Sequence, residues 1–177
     1  MKNVHIVDTK TLSTGIALLA MNACDLRDQG KSVEEILEST YKRLPKTQAS
    51  FVVNTLEYLH KGGRCSGLTR LLALVFRIKP QIIVENGKMR STNKFSGKDV
   101  AVVNKYAQAV FKEYTNPDLT RVFVTHSYAN QDMVDAAVEA CKKRGFKKIH
   151  ITTAGATITS HCGPKTLGIL FINDSEN

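Results

Sequence analysis

The residues best able to do chemistry gather in the stretch TITSHCGPKTLGILF, residues 157–171. Hydroxyls, one imidazole and a Gly-Pro pair run there straight into an apolar segment that reads as a strand. His161, at that strand's mouth, could be a ligand, a proton carrier or simply part of a turn. Facing a carboxylate, its ring would be favoured in the charged form and the hydrogen bond would be charge-assisted. Gly163 and Pro164 suit a site or a turn equally, because they let the backbone bend sharply behind the ring. Arg64 in KGGRCS is a second candidate, since its neighbouring glycines allow close approach to a headgroup or phosphate. The same guanidinium could instead hold carbonyls at a helix end. His126, in VTHS, is a lesser polar candidate, and Ser96 reads as a helix cap.

Catalytic patterns are thin. Ser127, Ser160, His126, His161 and Asp8 contain the residue types of a nucleophilic triad, but no G-x-S-x-G elbow frames either serine. The glycines are dispersed, without a Walker-type loop or a dinucleotide fingerprint. Metal-ligand spacing is also missing. The expectation is a binding chain with no catalytic residue, no metal and no cofactor. Four scattered cysteines (Cys24, Cys65, Cys141 and Cys162) with no C-x-x-C pair argue against a disulfide framework. A formal charge of +9 favours anionic partners. Aromatic residues make up only 7% and tryptophan is absent, so base-stacking platforms are scarce and a solvated basic face is expected over a nucleic-acid groove. No secretory leader and no bilayer-length apolar run is visible, which fits a soluble cytoplasmic protein.

The elements that must position these residues can be read from periodicity. VHIVD, residues 4–8, alternates as a buried strand. Residues 13–29 form a helix with Ile16, Leu19, Ala20, Ala23 and Leu26 on its apolar face, stopped at Gly30. Ser32 and Glu35 make a capping box for a second helix carrying Val33, Ile36, Leu37 and Leu44, which Pro45 ends. ASFVVNT is a strand leading to a helix capped by Asn54 and closed at Gly62 and Gly63. LLALVF, residues 71–76, is apolar all round, as a buried helix is. IKPQIIVENGKM is a hairpin turning at Asn86-Gly87. A long helix with Val103, Tyr106, Val110, Phe111 and Tyr114 inward follows, then strand, helix, strand and a last strand LGILFIN. This alternation specifies an α/β fold, a mixed β-sheet flanked by helices.

The order of motifs VDTKTLSTG, GKSVEEI, TLEYLHKGGRCS, RIKPQIIVENGKM, KFSGK and SHCGPKTLGILF resembles the DegV family of bacterial fatty-acid-binding proteins. YLHKGGR with IKP a short distance on, and the terminal H-x-G-P, are its most specific pieces. The resemblance implies two α/β domains with an acyl tunnel between and within them, the ligand's carboxylate at the domain junction, and a role as the binding subunit of a bacterial fatty acid kinase. It makes residues 1–47 the remnant of a first α/β domain, one strand and two helices. Residues 48–177 become a DegV-like C-terminal domain. Family chains carry roughly a hundred further residues before this point, with Asp-Ser and Thr-Ser-Gln-Pro-Ser motifs whose hydroxyls hold the carboxylate. Two departures stand out: Ser96 replaces a common arginine, and Lys165 replaces the last glycine of GPG.

On this resemblance the ligand is a long-chain fatty acid such as palmitate. His161 is then the principal head contact, helped by Arg64 and by Thr159, Ser160 and Gly163. Leu71, Leu72, Phe76 and Ile82 would line the tunnel. Each buried methylene contributes roughly 0.8 kcal/mol, so a sixteen-carbon tail supplies on the order of 10 kcal/mol before ordering costs. One carboxylate bond adds about 1.5–3 kcal/mol less desolvation. Tail burial therefore sets affinity and the head contact sets orientation. The expected partner is a separate fatty acid kinase catalytic subunit, with a homodimer also open. The competing expectations are a non-binding interaction or dimerisation module and, behind it, a basic nucleic-acid-binding domain.

Overall fold

A computed structural model describes residues 4–64 and 78–174. Residues 71, 72 and 76, expected to line a tunnel, lie outside the described residues. Helices α1 (Thr14–Asp28) and α2 (Val33–Arg43) come first, followed by a short 3-10 turn, β1 (Thr47–Val52) and α3 (Glu57–Lys61). The hairpin β2 (Lys79–Glu85) and β3 (Lys88–Phe95) precedes α4 (Asp99–Glu113), β4 (Arg121–Ser127) and α5 (Gln131–Arg144). β5 (Lys148–Thr153), α6 (Ala156–Cys162) and β6 (Thr166–Ile172) complete the order.

The six strands form one sheet in the order β3-β2-β1-β6-β4-β5. β4 and β5 run parallel while the other described pairs are antiparallel, so the sheet is mixed as expected. Asn86 and Gly87 both take positive φ, the requirement of a two-residue hairpin turn that suits the sheet's twist. One face of the sheet is covered by α4 and α5 through Val103, Val110, Val134 and Ala137 packed on Val124, Leu167 and Phe171. The opposite face carries α1 at one end, with Leu18 against Ala49, Phe123 and Leu170. At the other end lies a cluster of Phe51, Val53, Leu56, Leu59, Ile82 and Cys162. Tyr106 pins α4 to the centre of the sheet: its hydroxyl donates to the Ser50 carbonyl at 2.8 Å and accepts the Ile169 amide at 2.9 Å. Burial pushes that phenol's ionisation well upward, so it stays a neutral strut.

Five sequence expectations change. Residues 4–8 form no strand, and Ile6 is 89% exposed. A strand needs a ladder partner, and none of the six strands pairs with this segment. In α1 the buried face is Gly15, Leu18 and Leu19, with Ile16 and Ala20 exposed, because docking of Leu18 on the sheet chooses between two comparably apolar faces. The capping box of Ser32 and Glu35 is present, yet Val33 is exposed, since α2 packs chiefly on α1. Asn54 does not cap α3; the Thr55 hydroxyl accepts the Glu57 amide instead. Ser96 does not cap α4, whose N-cap is Lys98, and the Ser96 carbonyl accepts from Lys105.

Candidate functional site

The candidate residues sit on α3, on α6 and on the turns that end them. His161 is not at a bare strand mouth: residues 156–162 form α6, with His161 in its last turn. Ile158 and Cys162, four residues apart, share one face of that helix. They pack into the apolar cluster of Phe51, Leu59 and Ile82. Ile82 is fully buried there, so it underlies α6 through Cys162. Burial raises the Cys162 thiol to about 11, which makes it packing and not a nucleophile.

The His161 ring leans instead on α3. A Cβ placed on Gly62 would lie 2.1 Å from His161 Nδ1 and 2.9 Å from Cε1. Only a glycine leaves room for the ring at that height. The contact is reciprocated one turn away: a Cβ on Gly163 would lie 2.3 Å from Cδ2 of Tyr58. Tyr58 lies on α3 and Gly62, four residues on, is its C-cap, while His161 and Gly163 are two apart at the end of α6. The two elements thus interlock, ring over glycine in both directions. Gly163 also has φ of 77°, so its lack of a side chain serves conformation and space together.

Arg64 meets Gly62 at its carbonyl. Its Nη1 donates to the Gly62 carbonyl at 2.8 Å and its amide to the Leu59 carbonyl at 2.8 Å. The structural alternative of carbonyl-holding at a helix end is therefore realised, while the rest of the exposed guanidinium stays available. His161 Nδ1 is buried without a hydrogen-bond partner. The imidazole and the guanidinium, about a hundred positions apart in sequence, converge on Gly62.

Other candidates are engaged elsewhere. The Thr159 hydroxyl donates to the Ala154 carbonyl at 3.1 Å and that of Ser160 to the Thr157 carbonyl at 3.0 Å. His126 Nδ1 accepts the Ala129 amide at 3.4 Å and steadies the turn after β4. Lys165 pairs at 3.0 Å with Asp99, which also pairs with Lys79. The hydrogen bonds from Lys79 and then Lys165 hold the Asp99 carboxyl below the usual carboxylate range against its desolvation. Beneath α6 lies a cavity of about 30 Å³ lined by Phe51, Ile158, Cys162, Leu170 and the ends of neighbouring turns. Sequence reasoning missed Gly62, Tyr58 and Asp99 as parts of this site. The double glycine after a short helix was the signal for the first. Among the described residues no cluster of acidic, histidine and cysteine groups is placed to hold a metal. No helix there is long and apolar enough to cross a membrane.

A family model described as an uncharacterised protein of the DegV family matches residues 1–174. A DegV domain-containing protein of Clostridium perfringens is 29% identical over 175 residues, 98% of this chain and 60% of that protein. A solved Thermotoga maritima protein, which reveals fatty acid binding function, is 26% identical with a TM-score of 0.78, over 97% of this chain and 61% of that one. The Fak B3 protein of the Streptococcus pneumoniae fatty acid kinase, solved with linoleic acid, has a TM-score of 0.82 at 20% identity, over 96% of this chain and 60% of that one. The chain thus spans about 60% of the length of the relatives it matches.

Proposed function

This chain belongs to the DegV family, and from that membership we propose that it binds a long-chain fatty acid, such as palmitate, and offers the carboxylate to a separate kinase subunit in the cytoplasm. The observation that carries the reading is the convergence of His161 and Arg64 on Gly62. With Nδ1 sealed against Gly62, the ring has Nε2 left to meet a carboxylate, beside a guanidinium with donors to spare. Arg64 neutralises the head while His161 orients it; the phosphoryl-transfer chemistry belongs to the kinase. Thr159, Ser160 and Gly163 support the ring through the backbone of α6. Among the described residues, Phe51, Ile158 and Leu170, which line the cavity under α6, form the tail's walls in this reading, with Ile82 packed behind them in the core. The cavity under α6 is far below the roughly 300–1,000 Å³ of a pocket that encloses a whole small-molecule ligand, so it admits a segment of the tail. The fatty-acid-loaded relatives support the ligand, and the Fak B3 protein supports the kinase.

The test is lipid extraction from purified protein followed by mass spectrometry, then titration with palmitate. One acyl chain per protein is expected, with His161→Ala and Arg64→Ala each weakening binding by about tenfold, the worth of one charge-assisted bond. Absence of lipid and of saturable binding overturns the proposal. The exposed apolar residues Val4, Ile6, Ile16, Val33 and Tyr41 favour a second reading, an interaction or dimerisation module. Lipid-free protein whose mass doubles with concentration in light scattering decides for that one.

A further inference from the structure

We infer that Tyr58 is the positioning residue that fixes the ring of His161, an inference that rests on the fatty-acid reading for its ligand and on geometry for everything else. Leu59, its neighbour on α3, is fully buried and holds that helix to the core, whereas Tyr58 remains 36% exposed. The atoms nearest Gly163 are the ring carbons Cδ2, Cε2 and Cγ, at 2.3, 2.6 and 2.8 Å from where a Cβ would be. A planar ring laid on a glycine blocks rotation of the α6 terminal turn about that residue. The turn held in this way begins with His161, two residues earlier, whose own ring is seated on Gly62 of α3. Removing Tyr58 uncovers Gly163, whose φ of 77° suits a glycine and whose amide hydrogen bond to the Thr159 carbonyl then holds the turn without the ring above it. On the far side the turn is tied by the Lys165–Asp99 ion pair and by the Thr166 hydroxyl, which donates to the Cys162 carbonyl at 2.9 Å.

The experiment compares the wild-type protein with Tyr58→Ala, Tyr58→Leu and Tyr58→Phe. Two readouts are made on each: palmitate affinity, and the NMR line shapes of the His161 ring across a pH titration. Tyr58→Phe keeps the ring carbons and is expected to match wild type in both. Tyr58→Ala is expected to weaken palmitate binding by about tenfold, as loss of the oriented head contact would. It should also replace the fixed His161 ring signal with a motionally averaged one. Tyr58→Leu keeps apolar volume without a plane and should fall between the two, which guards against simple unfolding of the alanine variant. Palmitate affinity within twofold of wild type in Tyr58→Ala overturns the inference. So does an unchanged His161 ring signal. If the wild-type protein takes up no palmitate, the fatty-acid reading fails, while the ring signal still decides whether Tyr58 positions His161.

Discussion

Lys165 shows how a departure from a family pattern is absorbed at a single residue. It stands in the left-handed region with φ of 59°, where a glycine would be unstrained and a lysine costs about 1 kcal/mol. Its amine reaches Asp99, so the strain is offset by an ion pair that glycine could not make. Asp99 is shared with Lys79, and its carboxyl is held below the ordinary range. A depressed carboxylate contributes stability above its unfolded value near pH 4, and that contribution is lost as pH falls through the lower folded value. Urea midpoints measured between pH 7 and about pH 2 should therefore drop more steeply in acid for wild type than for Asp99→Asn. Parallel acid slopes would dismiss Asp99 as a contributor. His161 and Arg64 were legible in the sequence because their residue types and motifs are unusual. Tyr58 and Asp99 were not, because an aromatic and a carboxylate are common and only the fold shows what each one touches.

Interlocked elements make a sharper demand than single residues. Gly163→Ala would drive a methyl group into the Tyr58 ring and also oppose a positive φ. Gly63 has φ of 70° with nothing within 4 Å of its absent Cβ. The first substitution should destabilise by about 2–4 kcal/mol and the second by about 1 kcal/mol. Chemical denaturation of the two variants separates conformational strain from collision, and equal losses would mean that the α3–α6 seam carries no weight. Most elements were visible as periodicity: the capping box of α2, the Asn86-Gly87 hairpin, and the stripe of α4 with Val103, Tyr106 and Val110 buried. Helix α6 was hidden because a run of threonine, serine and histidine has weak helix preference. It is made helical by docking Ile158 and Cys162 on the sheet. The direction of α1 was ambiguous for a related reason, since both of its faces are apolar and only the sheet chooses one.

Across the whole molecule, charged links join the first two helices to the sheet. Arg43 of α2 is 16% exposed and binds Asp118, Asp174 and the Asn22 side chain at 3.1, 3.1 and 2.8 Å. Arg121 of β4 pairs with Asp25 of α1, and the Thr14 hydroxyl meets that of Thr125 at 2.6 Å. With Leu18 also fully buried against the sheet, residues 1–47 should melt together with the strands in one transition. Arg43→Ala should lower stability by about 1–3 kcal/mol, since it removes the cation shared by two partly buried carboxylates. Calorimetry checks both points, and two separated transitions would argue that the early helices form an independent unit. The mixed sheet could be foreseen from the alternation of elements, but its strand order could not, because pairing partners depend on crossovers that leave no local signal. That order has a temporal consequence. β6, with every residue buried, lies between β1 and β4 yet follows the other five described strands in the chain. Until β6 is in place, β1 and β4 each present an unpaired edge, and such edges are open to pairing with other chains.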